Sequence, residues 1–222
     1  MKKIVFFDFN KTLSACSWPQ ISDTFLKALL NPWSYRFKSF QLLCRTPYIA
    51  WLNHYHQDLM MGEVLRLFEV TPIATLEQVV HDTIVPLIKQ HMYPKAIETL
   101  KKHQRSGDHI VILSGNLDVF LRPIADHLNV PDLICTKLKR QDNVYLPEVD
   151  GSAMVAENKR QAIKDKVKTL GEPVEIISYG DSLSDIPAFE MANQAVCVNP
   201  GKRLAKLAGK RNWHIERWSA AV

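Results

Sequence analysis

The feature that most constrains this fold is a recurring order: a short apolar run, polar residues soon after it, and then a helical pattern. Short apolar runs without alternation are typical of strands that are buried on both faces. Because helical patterns separate the runs, they predict an α/β fold with a parallel sheet covered by helices on both faces. The runs are IVFF (4–7), HIVIL (109–113), LIC (133–135), VEIIS (174–178) and AVCV (195–198).

Residues 16–89 interrupt this order, because they contain no convincing strand. Two stretches there, QISDTFLKALLN and TLEQVVHDTIVPLIKQ, carry apolar side chains at helical spacing. We therefore predict a helical cap at 16–89, inserted into a core formed by residues 1–15 and 90–222. Within the core, the segment 138–146 is predicted to form a short hairpin around its Asp-Asn pair.

Composition excludes several classes of protein. No stretch approaches the roughly 20 apolar residues of a membrane span, and the first apolar run stops at Asp8, too early for a secretory signal. The four cysteines are scattered without a C-x-x-C pair, as expected of reduced, mostly structural thiols in a cytosolic protein. The net charge of +5 is a mild bias toward anionic partners.

Polar residues stand at four places near the ends of the predicted strands and helices. They are Asp8 after the first strand, Ser114-Gly115-Asn116 after HIVIL, Lys159 near the start of a helix ending at Gly171, and Asp181 and Asp185 after VEIISY. Taken singly, each has an ordinary explanation, since Asp and Ser are common helix caps and a lone lysine is usually solvated. Together, at one edge of the sheet, they predict an anion site at a helix start and carboxylates arranged to hold Mg²⁺.

The order of these motifs resembles the haloacid dehalogenase superfamily of phosphohydrolases over almost the whole core. D-F-N-K-T (8–12) is similar to the family's D-x-D-x-T, I-L-S-G (112–115) to its strand-end serine, Lys159 to its basic residue, and G-D-S-L-S-D (180–185) to its G-D-x-x-x-D. The ending V-N-P…L…A…W resembles the phosphoserine-phosphatase-like subfamily. The resemblance implies a Rossmann-like three-layer α/β/α core with a helical cap between the first and second motifs.

The resemblance also implies a role for each motif. Asp8 would be the nucleophile that forms an aspartyl-phosphate, while Ser114, Lys159 and the backbone N–H of Gly115 would bind the phosphoryl oxygens. The residues implied to hold Mg²⁺ are Asp8, Asn10 through its backbone carbonyl, Asp181, and Asp185 directly or through water. These roles suit phosphoryl transfer, which depends on positioning and charge neutralisation.

Asn10 departs from the family pattern, which has an aspartate at this position. That aspartate protonates the leaving group and then takes a proton from water, whereas an amide does neither. We therefore interpret the chain as a low-activity Asp-to-Asn variant of a phosphomonoester phosphatase. Three origins stay open: an engineered replacement, which we favour because every other motif is intact; a natural variant with slow or single-turnover chemistry; or a natural pseudophosphatase that binds a phosphorylated ligand or a partner.

The predicted cap carries a basic, aromatic-rich segment. From Thr24 to Gln57 there is no Asp or Glu, but there are four Lys or Arg and eight aromatic residues. We slightly favour aromatics packed against the core, with a small soluble phosphorylated metabolite as substrate. The alternative is peripheral contact with the inner face of a membrane and a phospholipid head-group phosphate. Nucleic acid is not expected, because the basic run at 201–211 is typical of a solvated helix face.

Overall fold

The computed structural model describes residues 2–55, 61–63, 65–66 and 69–220, and its centre is an eight-stranded sheet. The strands are β1 Lys2–Phe7, β2 Thr71–Pro72, β3 His109–Leu117, β4 Asp132–Gln141, β5 Val144–Asp150, β6 Val174–Gly180, β7 Gln194–Val198 and β8 His214–Glu216. Their order across the sheet is β2-β5-β4-β3-β1-β6-β7-β8. From β4 to β8 neighbouring strands run parallel, while β5 and β2 join the β4 edge antiparallel. The predicted α/β fold with a mostly parallel sheet is confirmed.

Helices occupy most of the remaining chain. They are α1 Trp18–Leu29, α2 Pro32–Tyr55, α3 Ile73–Val79, α4 Val85–Gln90, α5 Pro94–Arg105, α6 Asp118–His127, α7 Glu157–Leu170, α8 Ile186–Met191 and α9 Lys202–Arg211. A π-helical turn, Val80–Ile84, joins α3 to α4. It lies just before Pro86, which has no N–H to continue the regular hydrogen-bond pattern and whose ring crowds the preceding turn. A 3₁₀ turn, Leu183–Asp185, leads into α8.

The alternation of side chains along β1 produces the three layers. Val5 and Phe7 are buried with residues of α5 and α6 on one face of the sheet. Ile4 and Phe6 are buried on the other face with residues of α7 and α8. Because successive strand side chains point to opposite faces, an unbroken apolar strand is required for burial on both sides. The three-layer core follows from this pattern.

The helices α1 to α4 form an insertion between β1 and β3 whose two linkers lie side by side. The backbone N–H of Ala15 donates to the carbonyl of His91 at 2.7 Å, and that of Tyr93 donates to the carbonyl of Leu13 at 3.0 Å. The inserted segment therefore leaves and rejoins the core at one place, directly after the residues that follow β1.

Several strand predictions need correction. β3 continues through Ser114-Gly115-Asn116 to Leu117 with a register shift against β4, so these residues form a bulge and do not open a helix. Strand β4 is longer than the predicted LIC because its second half pairs with β5, which confirms the hairpin. The segment 16–89, predicted to lack strands, contains the short β2, which forms because its backbone pairs with β5.

The aromatic side chains of the insertion differ in exposure. Phe25 is buried in the core, whereas Trp33, Phe37, Phe40, Tyr48 and Trp51 on α2 are exposed. The interpretation that the aromatic residues pack inward was therefore wrong for these five. In the described part of the chain, every helix is too short or too polar to cross a bilayer.

The four cysteines are free thiols. Cys16, Cys135 and Cys197 are buried, as the structural interpretation expects, and Cys44 is exposed on α2. Burial, with a smaller contribution from the nearby carboxylate of Asp118, raises the pKa of Cys135 to about 12. The buried thiols are therefore protonated and unreactive near neutral pH.

Candidate active site

Asp8 lies at the carboxyl end of β1, between the ends of its two neighbours in the sheet. Its backbone N–H donates to the carbonyl of Tyr179 on β6 at 2.9 Å, which fixes the turn out of the strand. Phe7 pairs with Ile112 of β3 on the other side, so the carboxyl ends of these three central strands meet. The Asp8 side chain is buried, with only 9% of the residue exposed.

Lys159 lies in the first turn of α7 and reaches into this edge of the sheet. It is 2% exposed, and its Nζ donates to Oδ1 of Asp8 at 2.7 Å and to Oδ1 of Asp185 at 2.5 Å. The explanation of Lys159 as a solvated surface residue is therefore wrong. Burial opposes its charged form, but the two carboxylates, Asp185 foremost, raise its pKa. The ammonium group therefore stays charged, and its two hydrogen bonds link α7 to the end of β1 and to the 3₁₀ turn before α8.

Asp185 is fixed by the loop that follows β6. Its Oδ2 accepts hydrogen bonds from the backbone N–H of Asp181 at 3.2 Å and from the N–H and Oγ of Ser182, both at 3.0 Å. Gly180 makes this loop feasible, because a Cβ at that position would lie 2.7 Å from Cγ of Asp185. Asp185 also occupies the N-cap position of α8, where its carboxylate bonds the preceding loop and Lys159 instead of the N–H groups of the helix.

Asp8, Asp181 and Asp185 form an acidic cluster in which one oxygen of each lies within 4.8 Å of the others. Burial raises the pKa of Asp8 to about 6, against the opposing charge of Lys159. Burial, together with the charges of Asp8 and Asp185, raises the pKa of Asp181 to about 8. The three carboxylates of this cluster thus have the ammonium of Lys159 as their buried counter-charge. The excess negative charge favours the binding of either a proton or a cation.

These residues fit a magnesium ion by the chemistry of their donors. Mg²⁺ prefers oxygen ligands and is usually held by one or two carboxylates, and the acidic cluster provides such oxygens in a partly buried setting. A dication there would offset the charge that raises the pKa of Asp181. Asp8 and Asp181 have the less restrained carboxylates, since Asp185 already accepts hydrogen bonds at both of its oxygens.

The bulge of β3 brings a hydroxyl and backbone N–H groups to the same edge of the sheet. Ser114 is buried, and its Oγ accepts a 3.3 Å hydrogen bond from the N–H of Asn116. Gly115 lies against Val155, whose Cγ1 would be 2.9 Å from a Cβ at this position. Its carbonyl accepts a hydrogen bond from Thr136 at 2.8 Å, which anchors the bulge to β4.

Asn10 is held at both ends of its side-chain amide. Its Nδ2 donates to the backbone carbonyl of Cys16 at 3.0 Å, and its Oδ1 accepts from Nδ2 of Asn116 at 3.3 Å. Asn10 thus links the loop after β1 to the bulge of β3 and to the start of the insertion.

Sequence reasoning did not assign roles to Asn116, Lys11 or Ser182. In the sequence, Asn116 directly follows Ser114 and Gly115, which were predicted to bind phosphate. Its position after an apolar run is the only feature of the sequence that could have indicated a role in the site. Lys11 has a positive φ of 56° and its charge acts on Asp181. Ser182 supports Asp185 through two hydrogen bonds, a role that a serine two residues after a strand does not reveal.

A wide groove among the described residues lies away from the acidic cluster. It has a volume of about 1080 Å³ and is lined mainly by α3, α6, β4 and α7, with Arg122 and Arg140 among its side chains. None of Asp8, Lys159, Asp181 and Asp185 lines it. The chemistry of the acidic cluster therefore identifies the candidate site, and the size of the groove does not.

Comparison with known sequences identifies a protein family over most of the chain. A profile of the haloacid dehalogenase-like hydrolases matches residues 5–190. A probable phosphatase of Mycobacterium tuberculosis is 26% identical over 220 residues, covering 98% of this chain and 76% of the relative. A histidinol-phosphatase of Neisseria meningitidis is 23% identical over 233 residues, covering 97% of this chain and 98% of the relative.

Solved structures share the fold at low sequence identity. A Bordetella pertussis protein of unknown function superposes with a TM-score of 0.82 at 19% identity, covering 97% of this chain and 98% of that one. A substrate-bound phosphoserine phosphatase superposes with a TM-score of 0.69 at 18% identity, covering 93% and 90% of the two chains. The family profile extends over most of the chain, from the middle of β1 into α8. The chain therefore belongs to the haloacid dehalogenase-like hydrolase family.

Proposed function

We propose that this protein is a Mg²⁺-dependent phosphomonoester phosphatase that works through an aspartyl-phosphate. The observation that carries the proposal is the buried Lys159, whose Nζ contacts Oδ1 of Asp8 at 2.7 Å beside the Asp181 carboxylate. A fixed cation next to a carboxylate suits a nucleophile that must approach a negatively charged phosphoryl group.

In the proposed reaction, an oxygen of Asp8 bonds to phosphorus as the bond from phosphorus to the leaving oxygen breaks. Lys159, the Ser114 hydroxyl and the N–H of Gly115 bind the three phosphoryl oxygens and stabilise their charge. The leaving oxygen takes a proton from solvent water and departs as an alcohol. A water molecule then attacks phosphorus and gives its proton to solvent, while the bond between phosphorus and the Asp8 oxygen breaks, which releases phosphate and restores the Asp8 carboxylate.

Asp8, Asp181, the backbone carbonyl of Asn10 and Asp185, directly or through water, are the residues proposed to hold Mg²⁺. The ion would supply charge neutralisation and orientation of the phosphate. The proposal is supported by the fit of the acidic cluster to a hard cation.

Asn10 limits both proton transfers, because an amide neither gives up nor accepts a proton near neutral pH. Loss of a general acid–base group typically costs about 10²–10⁴-fold in rate. We propose a low-activity variant whose ligand-binding geometry is kept. The alternative is a pseudophosphatase that binds a phosphorylated ligand or a partner protein.

The proposed substrate is a phosphorylated small molecule or the head-group phosphate of a lipid. The histidinol-phosphatase relative, which matches this chain over nearly its full length, supports the first class, and the exposed aromatic residues of α2 support the second. The division into a core of residues 1–15 and 90–222 and a cap of residues 16–89 is also a proposal. In it the cap covers the site and selects the substrate.

A substrate screen of the Asn10→Asp variant tests the proposal, with small phosphomonoesters and lipid phosphates side by side in Mg²⁺. We expect turnover about 10²–10⁴-fold above that of the parent chain, abolished when Asp8→Asn is added. If folded Asn10→Asp protein binds Mg²⁺ but hydrolyses no phosphate in the panel, the phosphatase proposal is wrong and the pseudophosphatase alternative is favoured.

A further inference from the structure

One face of α2 presents a row of aromatic side chains outward. Trp33, Phe37, Phe40 and Tyr48 are 80%, 63%, 63% and 49% exposed, respectively. At 3.6 residues per turn their spacing places them within an arc of about 80° that extends about 22 Å along the helix. We call these four residues the aromatic face. Soluble proteins usually leave such residues exposed singly, and a contiguous row marks an interaction surface.

The other side of α2 is attached to the rest of the protein. Lys38 forms an ion pair with Glu69 at 3.1 Å and its side chain is 14% exposed. Tyr35 donates from its hydroxyl to Asp23 on α1 at 2.6 Å, and Leu52 is fully buried. These contacts fix the rotation of α2 about its axis, so the outward direction of the aromatic face follows from packing.

The charged residues of α2 itself, Arg36, Lys38 and Arg45, are all basic, and the chain carries a net charge of +5. Lys38 and Arg45 form ion pairs with Glu69 and Glu63. Arg36 is exposed one position before Phe37. An anionic lipid surface matches this arrangement, because aromatic rings enter the interfacial region while basic side chains contact lipid phosphates. A second copy of the chain would instead bring the same positive charges together.

We propose that the aromatic face docks the protein onto an anionic lipid bilayer. Binding would require neither catalysis nor Mg²⁺, so the inference goes beyond the proposed function. If the phosphatase proposal also holds, docking places the site within reach of phosphate groups at the membrane surface. A helix lying in the interface with its apolar side inserted needs no membrane-spanning segment.

The test measures co-sedimentation of the full chain with vesicles of phosphatidylcholine, with and without phosphatidylglycerol. We expect binding to the anionic vesicles that weakens as salt screens the charges. Trp33→Ser/Phe37→Ser/Phe40→Ser should lower the partition coefficient at least about tenfold, because three apolar side chains no longer leave water. The matched control, Val70→Ser/Ile215→Ser, removes two exposed apolar residues outside α2 and should bind like the parent.

Cys44 provides a second measurement, because helical spacing puts it on the same side as the aromatic face and it is the exposed cysteine among the four. An environment-sensitive dye on Cys44 should shift to the blue with anionic vesicles only. Asp8→Asn should bind normally, which separates failure of docking from failure of the phosphatase proposal. Equal recovery in the supernatant with and without anionic vesicles overturns the inference. So does a triple variant that changes only self-association or protein binding.

Discussion

Asn10 and Cys16 are joined by a hydrogen bond in which Nδ2 of the asparagine donates to the backbone carbonyl at 3.0 Å. A carboxyl group at position 10 could donate the same bond only in its protonated form. Hydrogen bonding to the neutral form raises the pKa of a carboxyl, so this carbonyl would favour the protonated form that the proposed mechanism requires of an aspartate at this position. The geometry around Asn10 is therefore compatible with the aspartate found in the family.

We first predict that Asn10→Asp lowers stability at high pH but much less at low pH. Once ionised, the new carboxylate faces the Cys16 carbonyl without a donor, at a cost of about 1–3 kcal/mol. The difference in unfolding free energy from the parent should therefore increase as pH rises and the carboxyl loses its proton. Urea titrations of both proteins between acidic and mildly alkaline pH measure it. A difference that does not change with pH would contradict this account.

A second prediction concerns Lys159, whose ammonium group lies between the carboxylates of Asp8 and Asp185 and donates a hydrogen bond to each. Lys159→Met leaves two buried carboxylates without their counter-charge, so the metal-free protein should lose about 3–5 kcal/mol of unfolding free energy. Mg²⁺ should restore part of this loss, because a dication neutralises the same charges. Lys164→Met, at an exposed position of the same helix, should stay within about 0.5 kcal/mol of the parent. Thermal melts with and without Mg²⁺ compare the variants, and equal behaviour of the two would refute the buried-pair explanation.

The third prediction is that Mg²⁺ binds more tightly as pH rises. The pKa of Asp181 is about 8 without metal, so below that pH an incoming ion must displace a proton. The dissociation constant should fall roughly tenfold per pH unit for one displaced proton and level off above about pH 8. Calorimetric titrations in buffers of different ionisation enthalpy measure both the affinity and the proton released. Affinity that is constant from pH 6 to about 8 would rule out this linkage.

The fourth prediction follows from the same raised pKa and concerns stability of the metal-free protein. A folded pKa of about 8 for Asp181 exceeds the roughly 3.9 of an unfolded aspartate, so the folded state binds more protons between these values. Its stability should therefore fall as pH rises from about 4 to 8. Saturating Mg²⁺ should reduce or reverse this slope. Melting temperatures that rise over this range without metal would contradict the assignment.

The fifth prediction uses glycines as a matched pair. Gly180→Ala would place Cβ 2.7 Å from Cγ of Asp185, which displaces the carboxylate from Lys159 and weakens Mg²⁺ binding. Gly209→Ala, with nothing within 4 Å of the added Cβ in α9, should stabilise by about 0.5–1 kcal/mol through helix propensity. Mg²⁺ titrations and melts of both variants provide the comparison. Normal Mg²⁺ affinity in Gly180→Ala would show that the contact is not critical.

The sheet was predictable because buried parallel strands appear as unbroken apolar runs. Ser114-Gly115-Asn116 was assigned to the wrong element because a polar tripeptide after a strand resembles a helix start. Its strand conformation depends on pairing with β4 across a register shift. A bulge is set by the neighbouring strand, and local sequence does not encode that neighbour.

The candidate site was recognised from motifs, but its contacts were not predictable from local patterns. Lys159 lies 151 residues from Asp8 along the chain, and nothing in its helix distinguishes it from the exposed lysines nearby. The outward rotation of α2 was also undetermined, because α2 carries apolar residues on more than one side. Tertiary contacts such as Lys38 with Glu69 decide which side is exposed.

The pairing of Ala15 with His91 makes the inserted segment interchangeable in principle. Its two ends are held together by backbone hydrogen bonds, and its β2 and Phe25 also contact β5 and Phe120 of the rest of the protein. Closure entropy grows slowly, by about 0.6 kcal/mol for each doubling of loop length. A segment of different size that keeps the contacts with β5 and Phe120 can therefore be grafted between these two points without moving the strand end that bears Asp8. Under the proposed division into core and cap, a chimera built there would keep the chemistry of its core and acquire the substrate range of its donor.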